Sequence, residues 1–308
     1  MNYKWVSSFI QRMLKSKTIF AFAVALLSLT LTVGFCTESI GLVEKKETGT
    51  IDWARGVVRA KGISAPIKID TAKSPPNSPK ALSEAKNDAR RNLLETVKQV
   101  QIASKLSVGD IADRNKTVMA QIKEMVYNAG EIEKSRKYMS DGSVEVALEM
   151  DLHGGFAQLV LPKEIRQIET IKQLKPGEKA PAAKPNTSSE RASNIYTGLL
   201  VDARSIDAGP ALVPKLLDEN LAEVFGPAFV SREFVVQQGM AAYYTDIQAA
   251  KADPRISDRP LIVKALRTDF PSRCNLVISN ADASKLKSAS DHLVFLKESR
   301  VVIVLAPP

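Results

Sequence analysis

The most regular stretch of this chain is KALSEAKNDARRNLLETVKQVQI, residues 80–102, where Ala81, Ala85, Ala89, Leu93 and Val97 recur at every fourth position. Leu82, Leu94 and Val100 stand beside them. Apolar positions at this spacing share one face of a helix, so the pattern predicts a long amphipathic α-helix. Ser78 and Pro79 just ahead are suited to the cap and the first turn. The first half of the stripe is alanine, which lets another backbone come close. WARGVVRAKGI, residues 53–63, supplies small partners at Ala54, Gly56, Ala60 and Gly62, and it is read as a strand packed under the helix. Val118, Met119, Ile122 and Val126 keep the helical period in a second helix, Lys116–Tyr127. The period then changes to two. Val144, Val146, Leu148, Met150 and Leu152 alternate with Glu145, Glu149 and Asp151, as a strand with one buried face requires. Asp141-Gly142 predicts a tight turn from residues 132–138 into that strand.

A second patterned region covers residues 195–308. Leu199 to Val201, ending in Asp202, reads as a strand, and VPKLLDENLAEVFG as a hairpin around Glu219-Asn220. In FVVQQGMAAYYTDIQAA, Val236, Met240, Tyr243, Tyr244 and Ile247 fall at helical spacing. That predicts a helix in which Gly239 costs about 1 kcal/mol. PLIVKAL and CNLVISN read as strands, ADASKLKSA as a helix with Asp282 near its start, and SRVVIVLA as a closing strand. The predicted class is α+β, with two small mixed α/β sheet domains at residues 50–172 and 195–308. Between them QLKPGEKAPAAKPNTSSERASN, residues 173–194, has no apolar period and reads as a disordered linker. A shorter Pro-rich loop, TAKSPPNSP, lies at residues 71–79.

The start of the chain has a different pattern. Lys4, Arg12, Lys15 and Lys17 precede an uncharged run from Ile19 to Phe35. That is the layout of a signal peptide or membrane anchor over residues 1–36, and the cations in front favour an N-inside orientation. Cys36 follows the run, where an exported lipoprotein carries its lipid-bearing cysteine. Its neighbour Phe35 is larger than the small residue such processing needs, while Thr32 and Gly34 suit ordinary cleavage after Gly34. Lipid attachment at Cys36, cleavage after Gly34 and an uncleaved anchor all stay open.

The formal net charge is +9. Removing residues 1–36 takes away four cations and no acid, leaving 39 basic residues against 34 acidic ones. That mild excess lacks the dense basic stripe with interleaved aromatics that nucleic-acid binding needs. Cys36 and Cys274 are the only cysteines, so no disulfide framework supports the fold.

The Ala-rich helix ALSEAKNDARRNLLETV, the strand ending near Gly62 before a Pro-rich loop, and the charged alternating strand resemble the LPP-twenty bacterial envelope lipoproteins. That family also takes in flagellar assembly proteins such as FlgP. The resemblance covers about residues 50–165. It implies an exported, often lipidated assembly or scaffold component without catalysis, with Cys36 as the lipid attachment residue, and Phe35 departs from its pattern.

Chemistry-bearing residues are sparse. His153 follows a strand beside Gly154-Gly155, and His292 is read as a loop residue before Leu293. Two separate histidines without a Cys/His/Asp cluster make poor metal ligands. Cys274, at the start of an apolar strand, reads as a small buried side chain. GPAFVSRE around Ser231 lacks the glycine of a nucleophile elbow. Asp202, Asp207 and Asp282 are candidates for the paired carboxylates of a hydrolase. No catalytic, cofactor-binding or metal-binding residue is assigned, and no cofactor or small-molecule substrate is expected. The expected protein is a noncatalytic assembly or scaffold component on the periplasmic face of a bacterial membrane, attached through its N-terminal segment, with protein partners or copies of itself. The alternative is a periplasmic hydrolase with its site in the C-terminal domain.

Overall fold

The computed structural model describes residues 41–66, 79–166, 196–288 and 290–308. The expected signal or anchor over residues 1–36 with Cys36, the Pro-rich stretch 71–78 and the expected linker 173–194 lie outside the described residues.

Strands β1 (Val43–Lys45), β2 (Thr50–Asp52) and β3 (Val57–Ile63) form an antiparallel meander. Trp53 to Gly56 form a turn rather than the start of the expected strand, because Gly56 adopts φ +66°, a left-handed conformation that reverses the chain. Helix α1 (Pro79–Lys98) buries Ala81, Ala85, Ala89, Leu93 and Val97 as the stripe predicts. At Gly62 the helix backbone comes so near that an added Cβ would lie 2.6 Å from the Cα of Ala89.

Two short strands, β4 (Gln101–Ala103) and β5 (Leu106–Ser107), then pair with each other. Helix α2 (Val108–Arg114) opens on a capping box between Ser107 and Asp110, and α3 (Lys116–Tyr127) is capped by Asn115. Strands β6 (Gly130–Glu131) and β7 (Lys137–Tyr138) both pair with β8 (Val144–Asp151), which runs antiparallel to β3 from Val57↔Asp151 to Ile63↔Glu145. The expected turn at Asp141-Gly142 is present, with Gly142 at φ +79°. Helix α4 (Gly155–Val160) follows. One face of this sheet is covered by α1. The other carries cross-strand ion pairs, Arg59 with Glu149 at 2.5 Å and Lys61 with Glu145 at 3.4 Å.

The second sheet is built from β9 (Gly198–Asp202), β10 (Lys215–Leu217), β11 (Glu223–Phe225), β12 (Ala242–Tyr244), β13 (Pro260–Thr268), β14 (Asn275–Ile278) and β15 (Val301–Val304). Its order is β11-β10-β14-β13-β9-β15-β12, with β12, β15, β9 and β13 parallel to one another. Helices α5 (Arg232–Gln238), α6 (Ile247–Lys251), α7 (Asn280–Lys287) and α8 (Ser290–Lys297) accompany it. The single helix expected across residues 234–250 is instead helix, strand, helix. Gly239 at φ +77° ends α5, and Tyr243 and Tyr244 pair in β12 with Ile303 and Val304. Glycine's freedom and the offered sheet edge outweigh the helical spacing of the apolar residues. His292 also departs from expectation, since it lies within α8 and is fully buried. The fold is thus α+β with mixed sheets.

The described residues belong to one compact unit, and one hydrophobic core runs through both sheets. The regions expected as separate domains are therefore packed directly on each other. Their main chains are also joined. Leu212 and Val213 N–H donate to the carbonyls of Gln101 and Ile102 at 3.0 and 2.8 Å. Leu42 N–H donates to Tyr243 O in the second sheet, while Leu42 O accepts from Trp53 N–H in the first.

Candidate functional site

A polar arrangement lies where the two sheets meet, and three left-handed glycines shape it. Gly154, at φ +62°, turns the chain out of β8 and donates its N–H to Val236 O at 2.8 Å. This leaves His153 between Gly56 of the first sheet and Gly239 beside the second. A Cβ on Gly56 would lie 2.6 Å from His153 Nε2 and 2.8 Å from Nδ1, and one on Gly239 would lie 3.4 Å from Nε2. The imidazole therefore rests on backbone from both sides. Burial holds its pKa below the usual histidine value; Asp151 opposes that shift and Arg255 adds to it.

Arg255 comes from the loop after α6. Its Nη2 donates to Gln238 O at 2.6 Å, and its backbone N–H donates to Asp253 Oδ1 at 2.7 Å. Its Nη1 is buried without a hydrogen-bond partner among the described residues. Tyr244 Oη donates to the other carboxylate oxygen of Asp253 at 3.0 Å. Burial first, and Asp253 second, push that phenol up to about 12. Asp52 is buried at the end of β2, where it accepts from Arg55 N–H and faces Arg59. Nearby, Trp53 meets Tyr243 edge-on with ring centroids 5.8 Å apart. Arg232 at the start of α5 reaches across the same seam to the carbonyls of Gln158, Pro162 and Ile165, at 2.8, 3.1 and 3.3 Å. Each of these contacts joins one sheet to the other or braces a loop at the seam. They fix position, and among the described residues no hydroxyl or thiol hydrogen-bonds His153.

The residues singled out from the sequence are scattered. Ser231 is 1 % exposed at the head of α5, and its N–H donates to Lys297 O. Cys274 is 4 % exposed, its Sγ lies 3.5 Å from Ser272 Oγ, and burial raises its thiol pKa, so it stays protonated. His292 Nδ1 lies 3.0 Å from Lys285 O, and its Nε2 accepts from Tyr196 N–H at 3.3 Å. Its ring packs between Tyr196 and Phe295. Asp202 holds Arg204 through both carboxylate oxygens, at 2.9 and 2.8 Å, and Arg204 keeps its pKa low. Asp207 pairs with Arg273 at 2.5 Å, and Asp282 belongs to the cap of α7 with Ser279. The three acids are thus occupied by three different local partners. Among the described residues no group of three or more His, Cys, Asp or Glu is placed to hold a metal ion, and no helix is long and apolar enough to cross a membrane.

A cleft of about 390 Å³ lies beside the β1–β2 hairpin, and its cations are already paired: Lys46 with Glu44, Arg59 with Glu149 and Lys61 with Glu145. The sequence reading missed Arg255, Arg232 and Tyr244, whose roles depend on long-range contacts. Gly56 and Gly239 were the available signal, since a glycine inside an apolar pattern marks a bend or a close approach.

Residues 198–307 match the protein family described as Treponema pallidum Tp0624, second domain. The match begins at the first residue of β9 and spans the second sheet. It points to a bacterial protein family and lies outside the region, residues 50–165, that resembles the LPP-twenty lipoproteins. No curated protein matches the chain.

Proposed function

We propose that the chain is an exported, noncatalytic component of the bacterial cell envelope. Its N-terminal segment holds it at the periplasmic face of a membrane, and its two fused sheets act as an assembly or scaffold body for a flagellar or other surface apparatus. One observation carries this reading. Ser231 and Cys274, the two nucleophile candidates, are both buried, and among the described residues neither is hydrogen-bonded by an imidazole. A nucleophile needs access and a base within hydrogen-bond reach. The seam supports the same reading, because the Arg232 guanidinium is spent on main-chain carbonyls of Gln158, Pro162 and Ile165 and so ties the two regions together.

Fractionating cells and identifying what co-purifies with the mature chain tests the proposal. The expected result is a membrane-associated chain that brings envelope proteins or further copies of itself, and that is not labelled by a serine-directed fluorophosphonate. Full-length chain soluble in the cytoplasm, or stoichiometric labelling lost in Ser231→Ala, would overturn it in favour of another location or of a hydrolase.

A further inference from the structure

The carboxyl ends of the four parallel strands define one end of the second sheet. In register, Tyr244 on β12, Val304 on β15, Asp202 on β9 and Lys264 on β13 form one row there. Gly41 pairs antiparallel with Tyr244, and Leu42 then donates to Tyr243 O. The chain therefore enters the folded body from this end. β13 does not stop at the row. Its residues 265–268 continue in an antiparallel hairpin with β14, which carries the tip about 13 Å further at roughly 3.3 Å per residue.

At that tip stands Phe270, which is 90 % exposed. Leu266 and Ile262, both about half exposed, continue an apolar strip along the same face of β13. Lys264, Arg267 and Arg273 are exposed around it. Arg273 pairs with Asp207, and Asp269 is half-buried where the turn begins.

A bare aromatic at a loop tip, flanked by arginines, has the chemistry of the bilayer interface. Aromatic rings settle at headgroup depth there, while arginines bury their stems and keep their charge near phosphate. The chain length before Gly41 names the occupant. The uncharged run ends at Phe35, six residues earlier, and six residues reach at most about 20 Å when fully extended. A body on so short a lead keeps the end from which it is entered close to the bilayer, at high effective concentration. We infer that the β13–β14 hairpin is a lipid-contact loop, with Phe270 and Leu266 entering the interfacial layer of a phospholipid bilayer and Arg267 and Arg273 lying at its phosphates. The inference rests on the reading that residues 1–36 keep the chain at the membrane.

The test uses the full chain reconstituted in phosphatidylglycerol and phosphatidylcholine vesicles, and compares Phe270→Trp with the parent, whose Trp5 and Trp53 give the background. Flotation reports the anchor, and emission from residue 270 reports the loop. The expected result is a blue-shifted added emission, quenched by lipids brominated on their acyl chains and shielded from aqueous iodide. Adding Arg267→Glu and Arg273→Glu should partly reverse that shielding. A chain that floats while residue 270 stays open to iodide and untouched by brominated lipid overturns the inference alone. Shielding that follows the protein-to-lipid ratio and ignores bromination assigns the loop to a second copy and also overturns it. A chain that does not float overturns the anchor and this placement with it.

Discussion

Replacing Gly62 by alanine tests the closest approach in the first sheet. The added methyl would lie 2.6 Å from the Cα of Ala89, with the backbone N of Ala89 and the carbonyl of Ala85 nearer still. Carbon atoms rest about 3.5 to 4.0 Å apart, so α1 would have to retreat by roughly 1 Å over the turn that buries Ala85 and Ala89. Forcing an extra methyl into a packed core costs about 1–3 kcal/mol. For a body of this size that lowers the melting temperature by roughly 2–4 °C for each kcal/mol. Urea and thermal unfolding, followed by far-UV dichroism and Trp53 emission, give the number. Two companions sharpen it. Gly130→Ala has nothing within 4 Å of its new methyl and no left-handed backbone, so it should be nearly neutral. Ala89→Gly should not rescue Gly62→Ala, because the atoms met belong to the helix backbone and not to the alanine methyl. A Gly62→Ala change below about 0.5 kcal/mol, the range of ordinary surface substitutions, or a full rescue by Ala89→Gly, would refute backbone contact as the reason for glycine here.

Because burial lowers the His153 pKa, the folded state prefers neutral imidazole. Its contribution to stability should be complete above the unfolded value of about 6.5 and fall as pH drops below it, levelling off only once the folded state also takes up the proton. Denaturation midpoints at pH 7.5 and 5.5 should show that slope, and His153→Gln should reduce it. Cys274, buried with a raised thiol pKa, should react with Ellman's reagent only after denaturation; rapid native reaction in a Cys36→Ser background would show an accessible thiolate. Phe35 should block lipid attachment at Cys36, so the native chain should take up no fatty-acid label in cells and Phe35→Ala should gain one; native label lost in Cys36→Ser would identify Cys36 as the anchor after all.

Legibility in the sequence followed how local each cause was. The stripe from Ala81 to Val97, the Lys116–Tyr127 helix, the Asp141-Gly142 turn and the Glu219-Asn220 hairpin depend on neighbours within a few residues, and their patterns state them directly. The 234–250 segment misled because its apolar spacing suits a helix, while the backbone of β15 offers Tyr243 and Tyr244 better partners. Only the folded sheet reveals that competitor. His292 was hidden in the same way, since its partners Tyr196 and Lys285 lie on other elements. The seam was the least legible part. His153 gave a residue type and Gly56 a hint of close approach, but nothing local tells that Gly239, 86 residues further on, closes over the same ring.

The two hydrogen bonds of Leu42 have a consequence for the order in which the chain becomes itself. Leu42 joins Trp53, eleven positions on, and Tyr243, 201 positions on. At roughly 5–20 residues per second, a ribosome makes the second partner about 10–40 s after Leu42. Contacts of such separation form late and slow the final step of folding. During that interval the meander of β1, β2 and β3 can assemble with α1 and β8, but the β12 edge to which Gly41 and Leu42 belong does not yet exist. A first sheet that is built in this interval keeps open to water the apolar surface it later buries against the second sheet, and such surface is prone to aggregation.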